Sequence, residues 1–285
     1  MAFDTEEQML ELHRGESFTG RLSRYTCPMP SVSEVKGRGA QRHGCAMING
    51  VSHVDANIIA TLQPAAIEAM DLPFLSPYKQ AVEQAILGAR TEDGRKGREG
   101  WRVREDLGPI AFDGDPATAT ILLLKANPSY GDEATRESHF QPHPEWPLSV
   151  VGPHVTRGTM AYYRNDVFGA LRREGITLEQ ISRRMLKVEL SPWASKKWPT
   201  GQRNLLKKMA EFPSRAPIRE LVRQLVAQGV VVLIARAENE WFAEVPALKD
   251  LLGTQVFVSS AKIAPAITDK MYPGSWARVI ESLRS

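Results

Sequence analysis

The sequence predicts an α/β protein: a three-layer α/β/α sandwich around a central four-stranded parallel sheet, with a mainly helical and irregular N-terminal extension. Three observations predict it. Residues 118–124 (TATILLL) and 230–235 (VVVLIA) are nearly unbroken apolar or β-branched runs without a polar alternate face, as expected of strands buried on both sides. Such runs alternate with segments of helical spacing, the pattern of parallel sheets covered by helices. The first run empties into Asn127-Pro128-Ser129-Tyr130-Gly131, a turn-forming group at the carboxyl end of a strand, where open α/β sheets place their ligands.

Taken in order, residues 1–105 read as the extension and residues 106–285 as the α/β domain. A polar start and a basic, Gly-rich stretch (Lys36, Arg38, Arg42) precede an expected helix near 55–70. Cys27 and Cys45 lie 18 apart and His43-Gly44-Cys45 lacks the C-x2-C spacing of structural zinc sites, so Cys27, His43, Cys45 and His53 are expected to hold no metal. Residues 77–90 place Ala81, Val82, Ala85 and Ile86 on one side of an amphipathic helix. Residues 91–105, with Arg95, Lys96, Arg98, Arg102 and Arg104 around three glycines and Trp101, read as a solvated basic loop, with contact to nucleic-acid backbone as the alternative. The first buried strand follows.

Residues 132–159 are rich in proline and histidine and too long for an ordinary connection. Prolines flanking His139 and His143 argue against a helix that would align them as a metal pair, so these are expected to be loop-packing histidines. Helices are expected near 160–174 and from Thr177, which caps the second of them. The second strand, 186–190, exits through Ser191-Pro192-Trp193. A helix over 217–228 with Gly229 as its stop leads to the third strand, 230–235. A helix over 241–252, a short fourth strand at 255–259 and a helix over 274–283 complete the chain.

Composition sets the compartment. The 285 residues are 42% hydrophobic with net charge +3, suited to a soluble globular protein and permissive of a polyanionic partner. Two cysteines make no disulfide framework, the N-terminal MAFDTEEQML is not a secretory signal, and no apolar run approaches the roughly 18 residues of a membrane span, so a cytoplasmic monomer is expected. Charge is unevenly spread. From Arg183 to Lys208 there are eight basic residues and one acid, Glu189, a local +7 interleaved with Trp193 and Trp198. Such a stretch suits a phosphate-tracking surface with stacking aromatics.

The run-up Phe112-Asp113-Gly114-Asp115-Pro116, the buried strand and the Asn127-Pro128 loop together resemble the uracil-DNA glycosylase superfamily. The likeness covers roughly residues 110–285 and implies a strand order of 2-1-3-4, no cofactor, no metal and duplex DNA with a flipped base as partner. It implies that Asn127 positions the attacking water, with Asp132 as a carboxylate helper. The chain departs from the uracil-specific pattern at two strand ends: Ser191-Pro192-Trp193 stands where an Asn reads uracil, and residues 259–265 carry no His-Pro-Ser. Base contacts therefore fall to Ser129, Tyr130, Glu189, Ser191 and Trp193. Ser260 or Lys262 is expected at the leaving group, Lys196, Lys197 and Arg203 on DNA phosphates, and Ile263 as an apolar wedge. The expected activity is a DNA glycosylase for a modified pyrimidine other than uracil, a modified cytosine of phage DNA leading. Repair of uracil or damaged bases, or a catalytically silent nucleic-acid-binding module of the same fold, are the alternatives. No G-x-G-x-x-G or P-loop sequence supports a nucleotide-binding protein.

Overall fold

The computed structural model describes residues 54–285 apart from 132–133, 140–142, 154, 156 and 261–265. Asp132, Lys262, Ile263, Cys27, His43, Cys45 and His53 lie outside the described residues. Five strands form one mixed sheet: β1 (Phe112–Asp113), β2 (Ile121–Lys125), β3 (Met185–Glu189), β4 (Val231–Ile234) and β5 (Val256–Val258). Their spatial order is β1-β3-β2-β4-β5. The last four run parallel, while β1 pairs antiparallel with β3. The expected four-stranded, purely parallel sheet thus gains a short antiparallel edge.

Two residues are too few to show any period, which is why β1 is invisible in sequence. What lets it form is Gly114, at φ +125°, where an added Cβ would lie 2.6 Å from the Met185 carbonyl oxygen. Only a glycine passes so close to β3. The register then sets Asp113 opposite Lys187.

Alternation along the strands feeds two separate cores. Leu122, Leu124, Leu186, Val188, Val232 and Ile234 face one side of the sheet. Ile121, Leu123, Met185, Val231, Leu233 and Phe257 face the other. Over the first side lie the helices Pro64–Leu87, Arg215–Ala227 and Glu238–Glu244; over the second lie Leu178–Arg184, Trp276–Arg284 and the segment around Val167 and Phe168. The first expected strand starts three residues later than predicted. Thr118 turns its hydroxyl to Asp115 and the Arg183 carbonyl, and Thr120 to the Ser282 carbonyl, so both serve the strand entry.

The N-terminal region differs most from expectation. One helix, Pro64–Leu87, replaces parts of two, running through Pro73 and Pro77. Interior prolines delete backbone hydrogen bonds. The compensating factor is a stripe of buried residues at three- and four-residue spacing, Ile67, Asp71, Leu75, Tyr78, Val82 and Ile86. The apolar members of that stripe share a core with the strands, so the expected boundary near residue 105 does not separate the described residues, which belong to one compact unit. Residues 92–99, expected as a loop, form the helix Glu92–Glu99. Thr91 caps it by accepting from the Gly94 amide at 3.0 Å, with acids in its first turn and basic residues in its last. Around 160–174 the expected single helix is divided into Arg157–Ala161, a π-helical turn Tyr162–Val167 and Gly169–Arg173. Among the described residues, no helix is long and apolar enough to cross a membrane.

Candidate functional site

At the carboxyl ends of β2, β3 and β4 opens a cavity of about 1010 Å³. Its floor comes from the sheet itself. On the face that carries Ile121, Leu123 and Met185, the apolar pattern breaks near the strand ends, and Lys125, Lys187 and Glu189 take the next positions of the same face. The β2–β3 register sets Lys125 beside Glu189, and period two sets Lys187 and Glu189 on one side. Asp113, opposite Lys187 on β1, completes a buried polar cluster.

Lys187 lies between two carboxylates, its Nζ 3.6 Å from Asp113 Oδ2 and 3.7 Å from Glu189 Oε1. Asp113 Oδ1 accepts a hydrogen bond from the Ser149 amide at 2.7 Å. Asp113 Oδ2 and both Glu189 carboxylate oxygens are buried without a hydrogen bond. Lys125 Nζ donates to the Tyr163 hydroxyl at 3.2 Å, and both lysines stand near the face of that ring. Burial alone disfavours both ammonium groups. For Lys187 the pull of Tyr163, Asp113 and Glu189 outweighs burial and raises its pKa, and for Lys125 Tyr163 and Glu189 do the same. Both remain cations through the neutral range.

His139, on the cavity wall, goes the other way: burial, then Lys187 and Arg104, push its pKa down to about 4. It is a neutral imidazole at pH 7, and its Nε2 is buried without a hydrogen-bond partner. The π-helical turn supplies Tyr162 and Tyr163, whose rings meet edge to face at 5.2 Å and line the wall above the two lysines.

Asn127 sits where β2 leaves the sheet, buried and on the cavity wall. Its amide nitrogen donates to the Pro128 carbonyl at 2.9 Å, the Ser195 carbonyl at 2.8 Å and Ser195 Oγ at 3.0 Å. Two of those acceptors are backbone carbonyls, which fixes the amide orientation. In a planar amide, Oδ1 then points away from them. The Ser195 amide donates in turn to the Pro128 carbonyl at 3.1 Å, so the loops leaving β2 and β3 are tied together around this side chain.

Several expected site residues meet at this cavity. Ser129, Tyr130, Glu189 and Lys196 line it beside Asn127. The Tyr130 ring has Arg104 at 5.1 Å and Lys196 at 5.8 Å. Others are elsewhere. Trp193, expected at the base, is buried in the core, where its indole N–H donates to Asp71 Oδ2 at 2.9 Å; Trp198 lines the cavity instead. Ser191 is fully buried behind the wall, its hydroxyl without a hydrogen-bond partner. Ser260 is exposed, away from the wall, and donates to the Lys270 carbonyl at 3.0 Å. Lys197 and Arg203 are exposed but off the wall, the Lys197 stem lying against Gly100. Sequence reading missed Lys125, Asp113, Lys187, Tyr162, Tyr163, Ser195 and Arg236, and favoured a packing role for His139 over a metal or acid role. The available signal was charge at alternate positions of otherwise apolar strands. No group of three or more His, Cys, Asp or Glu side chains among the described residues is arranged to hold a metal ion.

No family model, no curated protein and no solved structure matches this chain.

Proposed function

We propose that this protein hydrolyses the N-glycosidic bond of a nucleobase flipped out of duplex DNA into the cavity at its strand ends. The observation that carries this reading is the pinned amide of Asn127, held at the rim of a polar cavity with its nitrogen fully engaged. An amide so held presents Oδ1 as an acceptor for one O–H of a water, aiming the water's lone pair at the sugar. Hydrolysis forms a bond from that water oxygen to C1′ and breaks the C1′–N bond. The bonding electron pair leaves with the base, which ends protonated by the hydrogen lost from the water. Asn is a poor proton acceptor, so the reading requires the C1′–N bond to be well broken before the water attacks. Donors near the departing base then matter most, and Lys125, Lys187 and the neutral His139 are the groups that line this cavity.

The parallel strands stand in the order that the glycosylase resemblance implies, which supports the same reading. Drug-sized pockets run to about 1,000 Å³. A cavity at the top of that range has room for a base with a bulky substituent, so a modified pyrimidine, with modified cytosine leading, is the target we infer. Tyr130, Lys196 and Trp198 at the rim suit a distorted strand, offering rings to exposed bases and a cation to phosphate.

Duplexes each carrying one modified base, treated with the protein and then with alkali to cut abasic sites, test the proposal. Strand breaks are expected from the wild type. Asn127→Ala is expected to slow them by at least about 100-fold with DNA affinity nearly unchanged. Absence of breaks on every duplex, or full turnover by the variant, overturns the reading.

A further inference from the structure

Glu189 is fully buried on the floor of the cavity, yet neither carboxylate oxygen has a hydrogen bond. Leaving such a group unsatisfied costs more than almost any other polar burial, and native structures seldom tolerate it without a reason. Its nearest cation, Lys187 at 3.7 Å, is shared with Asp113 and stops short of a hydrogen bond. The neighbouring Lys125 is turned to the Tyr163 hydroxyl. Both carboxylate oxygens thus keep unmet lone pairs beneath the floor of the cavity.

We infer that Glu189 reads a pair of adjacent N–H donors on the bound base: an amino group beside a ring N–H. A carboxylate accepts through both oxygens and donates through neither, so it pairs with a donor–donor edge and opposes an edge that alternates donor and acceptor. Guanine carries the donor pair as a neutral base, at N1 and its 2-amino group. Cytosine carries it once N3 is protonated, with its 4-amino group alongside. Uracil and thymine present one N–H flanked by two carbonyl oxygens, so a second carboxylate oxygen would face a carbonyl across a dry contact. Lys125 and Lys187, within the same floor, are the donors available to the carbonyl that both guanine and cytosine also carry. This inference rests on the reading of the cavity as a base pocket; among the pyrimidines proposed above it selects cytosine-type over uracil-type bases, and guanine serves as the neutral donor-pair probe.

Calorimetric titration of the full-length protein with free bases provides the test. Wild type is expected to bind guanine at least about tenfold more tightly than hypoxanthine, which lacks the 2-amino group, or cytosine by the same margin over uracil. The two sources separate by proton uptake, measured in buffers of different ionisation heat: cytosine takes up one proton on binding and guanine takes up none. Glu189→Gln, whose amide offers one acceptor and one donor, is expected to level or reverse the order. If that variant does not fold, the wild-type comparisons of guanine with hypoxanthine and cytosine with uracil decide alone. Equal binding within each pair, an order unchanged by Glu189→Gln, or no binding of any base overturns the inference. Strand breakage reports on the other reading separately: breaks at uracil with no donor-pair preference sink this inference alone, whereas donor-pair binding without breaks sinks the hydrolase alone.

Discussion

Two buried carboxylates of this molecule differ in how their burial is met. Asp71, on the helix Pro64–Leu87, is 0% exposed and accepts from the Trp193 indole at 2.9 Å, the Ser214 amide at 3.0 Å and the Ser214 hydroxyl at 2.7 Å. Glu189, at the end of β3, is equally buried and accepts no hydrogen bond. Neither burial nor the kind of functional group separates them. What differs is satisfaction: Asp71 has traded water for three protein donors and locks a helix to the loop after β3, while Glu189 has traded water only for a lysine beyond hydrogen-bonding distance. A saturated buried carboxylate fastens the fold, and an unsaturated one at a cavity floor is what the proposed base contact requires.

Stability measurements place the greatest strain on this comparison. Asp71→Ala strands three buried donors and is expected to cost about 3–4 kcal/mol in urea unfolding, near the upper range for single substitutions. Glu189→Gln loses no hydrogen bond but removes one of the two anions that balance the buried Lys125 and Lys187, so it is expected to cost less than Asp71→Ala, about 1–2 kcal/mol. Equal losses for the two variants would erase the distinction drawn between these sites.

A smaller effect tests the cavity wall beside Glu189. His139 has a folded pKa of about 4 against an ordinary value of 6.5. Below pH 6.5 the unfolded chain therefore binds a proton that the folded chain refuses, and the stability this histidine contributes above pH 6.5 is lost as the pH falls towards 4. His139→Gln should flatten that part of the stability profile, and an identical profile in the variant would mean that the imidazole titrates normally. Lys187 works in the opposite sense. Its raised pKa contributes stability that is complete below about 10.4 and lost only in strong alkali, so it adds no slope in the acid window.

The smallest expected change lies on the rim, in exposed charge. Lys196→Ala combined with Arg203→Ala is expected to leave unfolding unchanged and to reduce the slope of log affinity for DNA against log salt by about one unit for each phosphate that is no longer neutralised. Lys196 borders the cavity and Arg203 does not, so the single variants show how far from the floor the backbone is tracked. An unaltered slope in both would confine the basic stretch to solvated surface.

Local pattern carried much of this molecule in sequence. The cores of β2 and β4, the helices Arg215–Ala227 and Leu178–Arg184 with its Thr177 cap, and the Asn127 turn at a strand end all follow from signals spanning fewer than about 15 residues: period, caps and turn formers. Asn127, Ser129, Tyr130 and Glu189 could be named near the site because strand ends in such sheets open on one side, whereas Lys196, expected on DNA phosphates, is also found lining the cavity. Tertiary structure decided the rest, because the decisive partners are distant in the chain. Asp71 and Trp193 are 122 residues apart, so nothing local distinguishes a tryptophan that lines a pocket from one that bonds a buried helix carboxylate. The Asn127 amide is oriented by Ser195, 68 residues on. Asp113 meets Lys187 only because a two-residue strand, too short to announce itself, passes β3 at Gly114. Sequence determined where the strands end; the register between strands, set by packing both cores at once, determined which charges stand together there and which of them are left without a partner.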